Sequence, residues 1–293
     1  MGHSAKSMVK EMMKKTEFYK LQASGNDFIL LDAFHAPHFV RRISYKKFAR
    51  TYCERKFGVG ADGLLVIEPS KKAQFKMRIF NPDGSEPDMC GNGARCVALW
   101  FSRKQKAENR RQKNMKFETR AGIIESWVKG NNVRIKLGNP TDIELDMPIH
   151  VLGRKIKVNY INTGVPHAVV FVEGLELIDV YNIGRALRYH SKFQPEGTNV
   201  NFVEPLSSDF IKIRTYERGV EAETLACGTG VTASAVITDL RLKTTSRRVK
   251  IKVKAKSGEV LKIYFDKTGN NIDNVWLEGE ACLVYKGQLA LDA

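Results

Sequence analysis

Two cysteines in this chain share one setting. Cys90 opens Cys-Gly-Asn-Gly and Cys227 opens Cys-Gly-Thr-Gly, and each leads into a small-residue stretch that reads as a helix, near Gly91–Arg103 and Gly228–Leu240. A thiol acts as a base only as thiolate, and its free pKa is about 8.5. A helix N-terminus favours negative charge through its unsatisfied N–H groups and its dipole, so both thiols are expected to be lowered. Glycines after each cysteine let the backbone come close to a ligand. The Gly91-Asn92-Gly93 and Gly228-Thr229-Gly230 segments could therefore direct N–H groups at a carboxylate. With one cysteine on each side of a substrate carbon, a thiolate removes an α-proton from one face. The opposite thiol then delivers a proton to the other face, and configuration inverts without a cofactor. The carbanion between these steps needs donors positioned beforehand around its carboxylate, in a site closed to water.

A lone Cys-Gly-x-Gly is weak evidence, because a turn or a packing site explains most single copies. The context of the pair is stronger: it is an internal near-repeat. The first copy runs from Met77 through Phe80, Asn81 and Gly84 to Cys90; the second runs from Ile213 through Tyr216, Glu217 and Gly219 to Cys227. Each reads as strand, aromatic, polar residue, glycine, acidic turn, cysteine and helix. The helix cores also match, with Ala94, Ala98 and Leu99 in one and Ala233, Ala235 and Val236 in the other. Small residues on all sides imply a helix tightly surrounded by other elements.

Most of the remaining chain reads as short strands rich in β-branched and aromatic residues and bounded by Gly, Pro, Asn or Asp. Further helical patterns are few: Ser44–Arg55, with Ser44 as N-cap, and Asp179–Tyr189. The expected fold is α+β, with two pseudo-symmetric domains, each a curved, mostly antiparallel β-sheet wrapped around a central α-helix. Pseudo-symmetry puts the boundary between Val133–Leu137 and the Gly138-Asn-Pro140 turn. Domains of 1–137, carrying Cys90, and 138–281, carrying Cys227, follow.

Bulk properties narrow the class. The 293 residues suffice for two domains, and 43% hydrophobic with 27% charged residues is a soluble globular composition. No apolar run is long enough for a membrane span, and the Lys-rich stretch Met1–Thr16 lacks the apolar core of a secretory signal, so a cytoplasmic location is the default. Five cysteines without a Cys-x-x-Cys pair argue against a disulfide framework and a zinc knuckle. Cys53, Cys96 and Cys282 lack the Gly-x-Gly context and are read as core residues. The net charge of +16 gathers in Met1–Lys20, Arg103–Lys116 and Arg241–Lys256. These runs mostly lack the interleaved aromatics of a stacking platform, so a solvated basic surface is expected and nucleic acid is not.

The ordered motifs resemble the diaminopimelate epimerase family from Phe18 to Leu291. They are Ser24-Gly-Asn-Asp-Phe28, Gly58-Val-Gly-Ala-Asp-Gly63, Arg78-Ile-Phe-Asn-Pro-Asp-Gly-Ser85 and Met89-Cys-Gly-Asn-Gly-Ala-Arg-Cys96. Then come Asn162-Thr-Gly-Val-Pro-His167, Gly197-Thr-Asn-Val-Asn-Phe202, Glu217-Arg-Gly219 and Ala226-Cys-Gly-Thr-Gly230. The resemblance implies interconversion of LL- and meso-diaminopimelate in lysine biosynthesis, with Cys90 and Cys227 as the reacting pair and no pyridoxal phosphate or metal. It implies a homodimer, and a C-terminal segment 282–293 that returns to the first domain. By motif position, Asn26, Asn81, Gly91, Asn92, Asn199, Glu217, Arg218, Gly228 and Thr229 correspond to substrate contacts, and His167 and Glu217 to the polar pair beside the reacting carbon. Two positions depart from the pattern: Val165 stands where many members have Asn, and Gly63 where some have Gln.

Each assignment has a plainer alternative. Asn26 lies in a common turn sequence. Asn81 precedes Pro82 and could simply end a strand. His167 could be a satisfied structural group, and Arg218 a surface ion pair rather than a bidentate carboxylate clamp. Rival functions are a proline racemase or hydroxyproline epimerase, a nucleic-acid-binding protein with incidental cysteines, and a redox sensor in which Cys90 and Cys227 form a disulfide.

Overall fold

The computed structural model describes residues 14–35, 40, 42–107, 114–269 and 271–291. Residues 1–13 of the leading lysine-rich stretch and part of the run after Arg103 lie outside the described residues. The first series of elements is β1 (Lys14–Ala23), β2 (Asn26–Asp32), α1 (Tyr45–Tyr52), β3 (Gly63–Glu68), β4 (Lys76–Phe80), α2 (Gly91–Ala107), β5 (Asn114–Thr119), β6 (Gly122–Lys129) and β7 (Asn132–Lys136). The second begins with β8 (Thr141–Val151), β9 (Arg154–Asn162), β10 (Pro166–Phe171), α3 (Val180–Arg188), β11 (Asn199–Ser207), β12 (Phe210–Glu217) and β13 (Ala222–Thr224). It continues with α4 (Gly228–Leu242), β14 (Arg248–Lys254), β15 (Val260–Thr268) and β16 (Asn271–Glu280), and β17 (Cys282–Leu291) closes the chain.

The strand pairings spell out the repeat. From β17 the pairs β17–β1 and β1–β2 are antiparallel, β2–β3 parallel, β3–β4 antiparallel, β4–β5 parallel, then β5–β6 and β6–β7 antiparallel. From β8 the order is the same. β8–β9 and β9–β10 are antiparallel, β10–β11 parallel, β11–β12 antiparallel, β12–β14 parallel, then β14–β15 and β15–β16 antiparallel. Each parallel step needs a crossover, and helices occupy equivalent crossovers: α1 and α3 in one, α2 and α4 in the other. The two series join where β7 pairs antiparallel with β16. The expected α+β, pseudo-symmetric architecture is therefore the observed one.

The helices are enclosed as their composition requires. Every residue from Asn92 to Phe101 in α2 and from Gly230 to Asp239 in α4 is buried. A helix apolar on all faces must be covered on all faces. Strands β1 to β4, β6, β7 and β17 surround α2, and β9 to β12, β14 and β15 surround α4. Ala94, Ala98, Leu99, Ala233, Ala235 and Val236 are all fully buried, and both helices share one apolar core. The outer helices are capped as expected: Ser44 Oγ accepts Lys47 N–H at 3.3 Å and Asp179 Oδ1 accepts Asn182 N–H at 3.0 Å. Helix α1 stops at Tyr52, short of the expected Arg55.

Two readings need correction. Strand β8 was not expected, because its acidic residues mask the alternation. Asp142 and Asp146 sit at φ 53° and 55°, and irregularities in the β8–β9 register break the period-two pattern. Cys282 is not a core residue: it is partly exposed at the start of β17, which pairs with β1. Cys53 and Cys96 are buried as read. Among the described residues no helix is long and apolar enough to cross a membrane.

Candidate active site

Both candidate cysteines sit at the first turn of an enclosed helix. Ala94 N–H donates to Cys90 O and Val231 N–H to Cys227 O, each at 2.8 Å, so each cysteine carbonyl accepts the first helical bond. The N–H groups of Asn92 and Gly93 point at the Cys90 thiol, and that of Gly230 at the Cys227 thiol. Thr229 Oγ1 lies 3.3 Å from Cys227 Sγ. The amide three residues after each cysteine thus plays the same part in both halves.

Gly93 and Gly230 are there because their neighbours press on them. A Cβ at Gly93 would come within 2.9 Å of Leu65 Cδ2, and one at Gly230 within 2.3 Å of Asn201 Oδ1. A Cβ at Gly91 would stand 3.6 Å from Ile135 Cδ1, and one at Gly228 3.3 Å from Leu277 Cδ1. Ile135 and Leu277 are direct partners in the β7–β16 ladder, so their side chains share one face. The two helix starts therefore converge over one cross-strand pair, and α2 touches α4.

The electrostatics follow from that convergence. Burial pushes the Cys90 thiol up, and the carboxylate of Glu217 adds to it; the two helix amides and the Arg95 cation work the other way. Burial pushes Cys227 up to about 12, with Glu217 and the charge of Cys90 contributing in the same direction. Burial likewise raises Glu217, with Thr224 opposing it. The lowering expected from the helix N-termini is present at both thiols, but desolvation outweighs it. Negative charges at Cys90, Cys227 and Glu217 disfavour one another, so the cluster resists holding more than one.

His167 is fully buried. Its Nδ1 accepts from Asn201 Nδ2 at 3.0 Å, and Asn201 Oδ1 accepts from Thr215 Oγ1 at 3.0 Å. That assigns the ring proton to Nε2, which is buried with no hydrogen-bond partner. Burial, helped by the positive charge of Arg218, pushes His167 down to about 3, so the ring is neutral.

The other candidates are placed unevenly. Asn92 is buried and its Oδ1 accepts from Arg95 at 2.7 Å. Asn199 bridges within the protein: Nδ2 donates to Pro166 O at 3.0 Å and Oδ1 accepts Arg218 N–H at 2.9 Å, leaving one hydrogen and one lone pair. Arg218 sends Nη1 to Glu196 O at 2.9 Å. Asn26 opens β2, and its Oδ1 is buried without a partner. The preceding Gly25 packs toward Leu225, in the segment that leads to Cys227. Asn81 follows β4 as Glu217 ends β12, but its Nδ2 donates to Ser85 Oγ at 2.9 Å and holds the local turn. Thr163 Oγ1 donates to Thr229 O at 3.3 Å, which ties the Val165 loop to the first turn of α4.

Sequence reasoning assigned no role to Asn201 or Arg95. A signal existed for each. Asn201 lies two residues from Asn199 on an otherwise apolar strand, hence on the same face. Arg95 is a charge inside a helix segment read as wholly enclosed.

A sequence model of the family described as Diaminopimelate epimerase matches residues 18–143 and 159–284, nearly all of the two series. The chain belongs to the diaminopimelate epimerase family. Among curated relatives, the Diaminopimelate epimerase of Aquifex aeolicus is 43% identical over 282 residues, covering 94% of this chain and 98% of its own. That of Archaeoglobus fulgidus is 42% identical over 287 residues, covering 94% and 96%. Solved structures share the fold at low identity. A Bacillus anthracis phenazine biosynthesis protein of the PhzF family aligns with a TM-score of 0.72 at 16% identity, covering 95% of this chain and 100% of its own. A hydroxyproline epimerase from Agrobacterium vitis aligns with a TM-score of 0.69 at 14% identity, covering 95% and 93%. Within the family frame, the departure at Gly63 has a local cause: a Cβ there would stand 3.0 Å from Phe80 O and 3.4 Å from the Phe28 ring.

Proposed function

We propose that this epimerase interconverts LL- and meso-2,6-diaminopimelate by two-base proton transfer at Cα, with Cys90 and Cys227 as the bases and no pyridoxal phosphate or metal. The observation that carries this is the convergence of two helix starts over the Ile135–Leu277 pair, each with a cysteine thiol facing helix amides. One cysteine, as thiolate, takes the α-proton and becomes a thiol; the electron pair stays on the substrate as a carboxylate-stabilised carbanion. The other cysteine, as thiol, gives its proton to the opposite face and becomes the thiolate. Charge is conserved, and the roles exchange for the reverse reaction. Mutual repulsion within the cluster favours one thiolate beside one thiol, the state this chemistry needs.

The amides of Gly91, Gly228 and Thr229 at the two helix starts bind the reacting carboxylate, with the Asn92 side chain beside them. Neutral His167 offers an Nε2–H donor, and Glu217 accepts from the substrate ammonium; both stand beside the reacting carbon. Arg218 clamps a carboxylate, with Asn26, Asn81 and Asn199 completing recognition of a long, doubly zwitterionic substrate. We assign the halves as 1–137 joined by 282–293, and 138–281, which would close over the substrate.

The same reading makes the enzyme a cytoplasmic homodimer of lysine biosynthesis, with neither nucleic acid nor membrane as a partner. Several basic residues of the 241–256 run are matched by acids, as in Arg241–Asp146, Lys252–Asp209 and Lys256–Glu223. The deciding assay offers the purified enzyme LL-diaminopimelate without added pyridoxal phosphate or metal, with L-proline and L-glutamate as controls. Meso product from diaminopimelate alone is expected; turnover of proline instead would replace this reading.

A further inference from the structure

Arg95 is the largest side chain in the described residues that is completely out of water. Burying a guanidinium is costly unless its donors are matched, so its partners carry information. Nη2 donates to Ser24 Oγ at 2.6 Å and to Asn92 Oδ1 at 2.7 Å. Nη1 reaches Glu280 O at 3.3 Å and Glu259 Oε1 at 3.4 Å. That same Glu259 oxygen accepts Glu280 N–H at 2.9 Å. Nε is buried without a partner. Room for the group is built in from a distant segment, since a Cβ at Gly279 would lie 1.8 Å from Nη1.

Two of these ties lead into the site. Asn92 stands in the first turn of α2, with its N–H on the Cys90 thiol. Ser24, at φ 56°, begins the turn that delivers Asn26. The second half has no cation at the equivalent position. Five residues after Cys227, where Arg95 falls after Cys90, stands Thr232, whose hydroxyl donates to Gly228 O at 2.9 Å within its own helix.

We propose that Arg95 is a positioning residue of the epimerase reaction, locking Asn92 and the Ser24–Asn26 turn beside the substrate and making the two thiol sites chemically unequal. The inference rests on the two-cysteine reading above. The rigid guanidinium fork fixes which end of the Asn92 amide faces the protein, so the other end is presented in one orientation. Its charge favours a thiolate at Cys90, whereas the Cys227 site has no cation in the corresponding place. Arg95 therefore biases ionisation toward Cys90 rather than Cys227, although burial raises both thiols.

The test follows alkylation of each cysteine by iodoacetamide against pH, located by peptide mass spectrometry, in wild type, Arg95→Lys, Arg95→Met and Ser24→Ala. In wild type, Cys90 should be alkylated at lower pH than Cys227. In Arg95→Met the Cys90 midpoint should rise by about one pH unit while that of Cys227 stays. Arg95→Lys should keep the midpoint but lose roughly 100-fold in kcat, since charge is kept and the fork is lost. Should Arg95→Met not fold, Arg95→Lys and Ser24→Ala decide the matter: both should lower kcat far more than they raise KM. Variants that lose only thermal stability, with unchanged alkylation profiles and kcat, would overturn the proposal. Failure of the underlying reading looks different: wild type would not epimerise diaminopimelate, or Cys90→Ala would remain active.

Discussion

Ile135 and Leu277 face each other across the β7–β16 ladder, and each lies under the opening glycine of a different enclosed helix. This pair is where the repeat closes on itself: the last strands of the two series meet, and the two Cys-Gly starts meet above them. Removing either side chain should cost about 2–5 kcal/mol in unfolding free energy, measured by urea denaturation of Ile135→Ala and Leu277→Ala. Because one seam supports both helix starts, the double variant should be non-additive in both stability and kcat. Additive effects would mean that the seam does not couple the halves.

The tight glycines should be unequal. At Gly230 an alanine methyl meets a side-chain oxygen already bonded to Thr215, whereas at Gly93 it meets the end of a flexible leucine. Gly230→Ala should displace Asn201 from His167 and lower kcat by about 100-fold, with Gly93→Ala milder. Comparing kcat of the two variants checks the order.

Cys90→Ala and Cys227→Ala should each abolish epimerisation while leaving the far-UV circular dichroism and melting temperature close to wild type. Burial holds both thiols above their free values, so wild-type activity should rise as pH increases above neutrality. A rate profile that falls over the same range would contradict a thiolate base.

His167 provides a stability signature. Its folded value, pushed down to about 3, lies below that of the unfolded ring, so the unfolded chain binds the proton first as pH falls. Stability from this group is complete above about pH 6.5 and is lost as pH drops toward the folded value, by on the order of 5 kcal/mol. The slope of unfolding free energy against pH should be shallower in His167→Asn across that window; an identical slope would show that the ring is not held neutral.

Much of this is legible in the sequence. Helical spacing and capping residues gave α1 and α3, and the Cys-Gly-x-Gly copies gave the starts of α2 and α4, because local chemistry decides those features. What escaped depends on contacts distant in sequence. Strand β8 is paired in spite of two residues at positive φ, so its partner β9, not its own pattern, makes it a strand. The thiol values turn on desolvation, which a helix-terminus argument cannot weigh. Arg95 and Gly279 explain each other only once the 183 positions of chain between them have been folded.

The central claim is that separate groups handle the departing and arriving protons. The most direct measurement incubates the enzyme with LL-diaminopimelate in deuterated water and analyses meso product and recovered substrate at early conversion. The account predicts solvent deuterium at the inverted Cα of every product molecule, with recovered LL substrate still carrying its original hydrogen. Product that keeps the substrate's own hydrogen would contradict it.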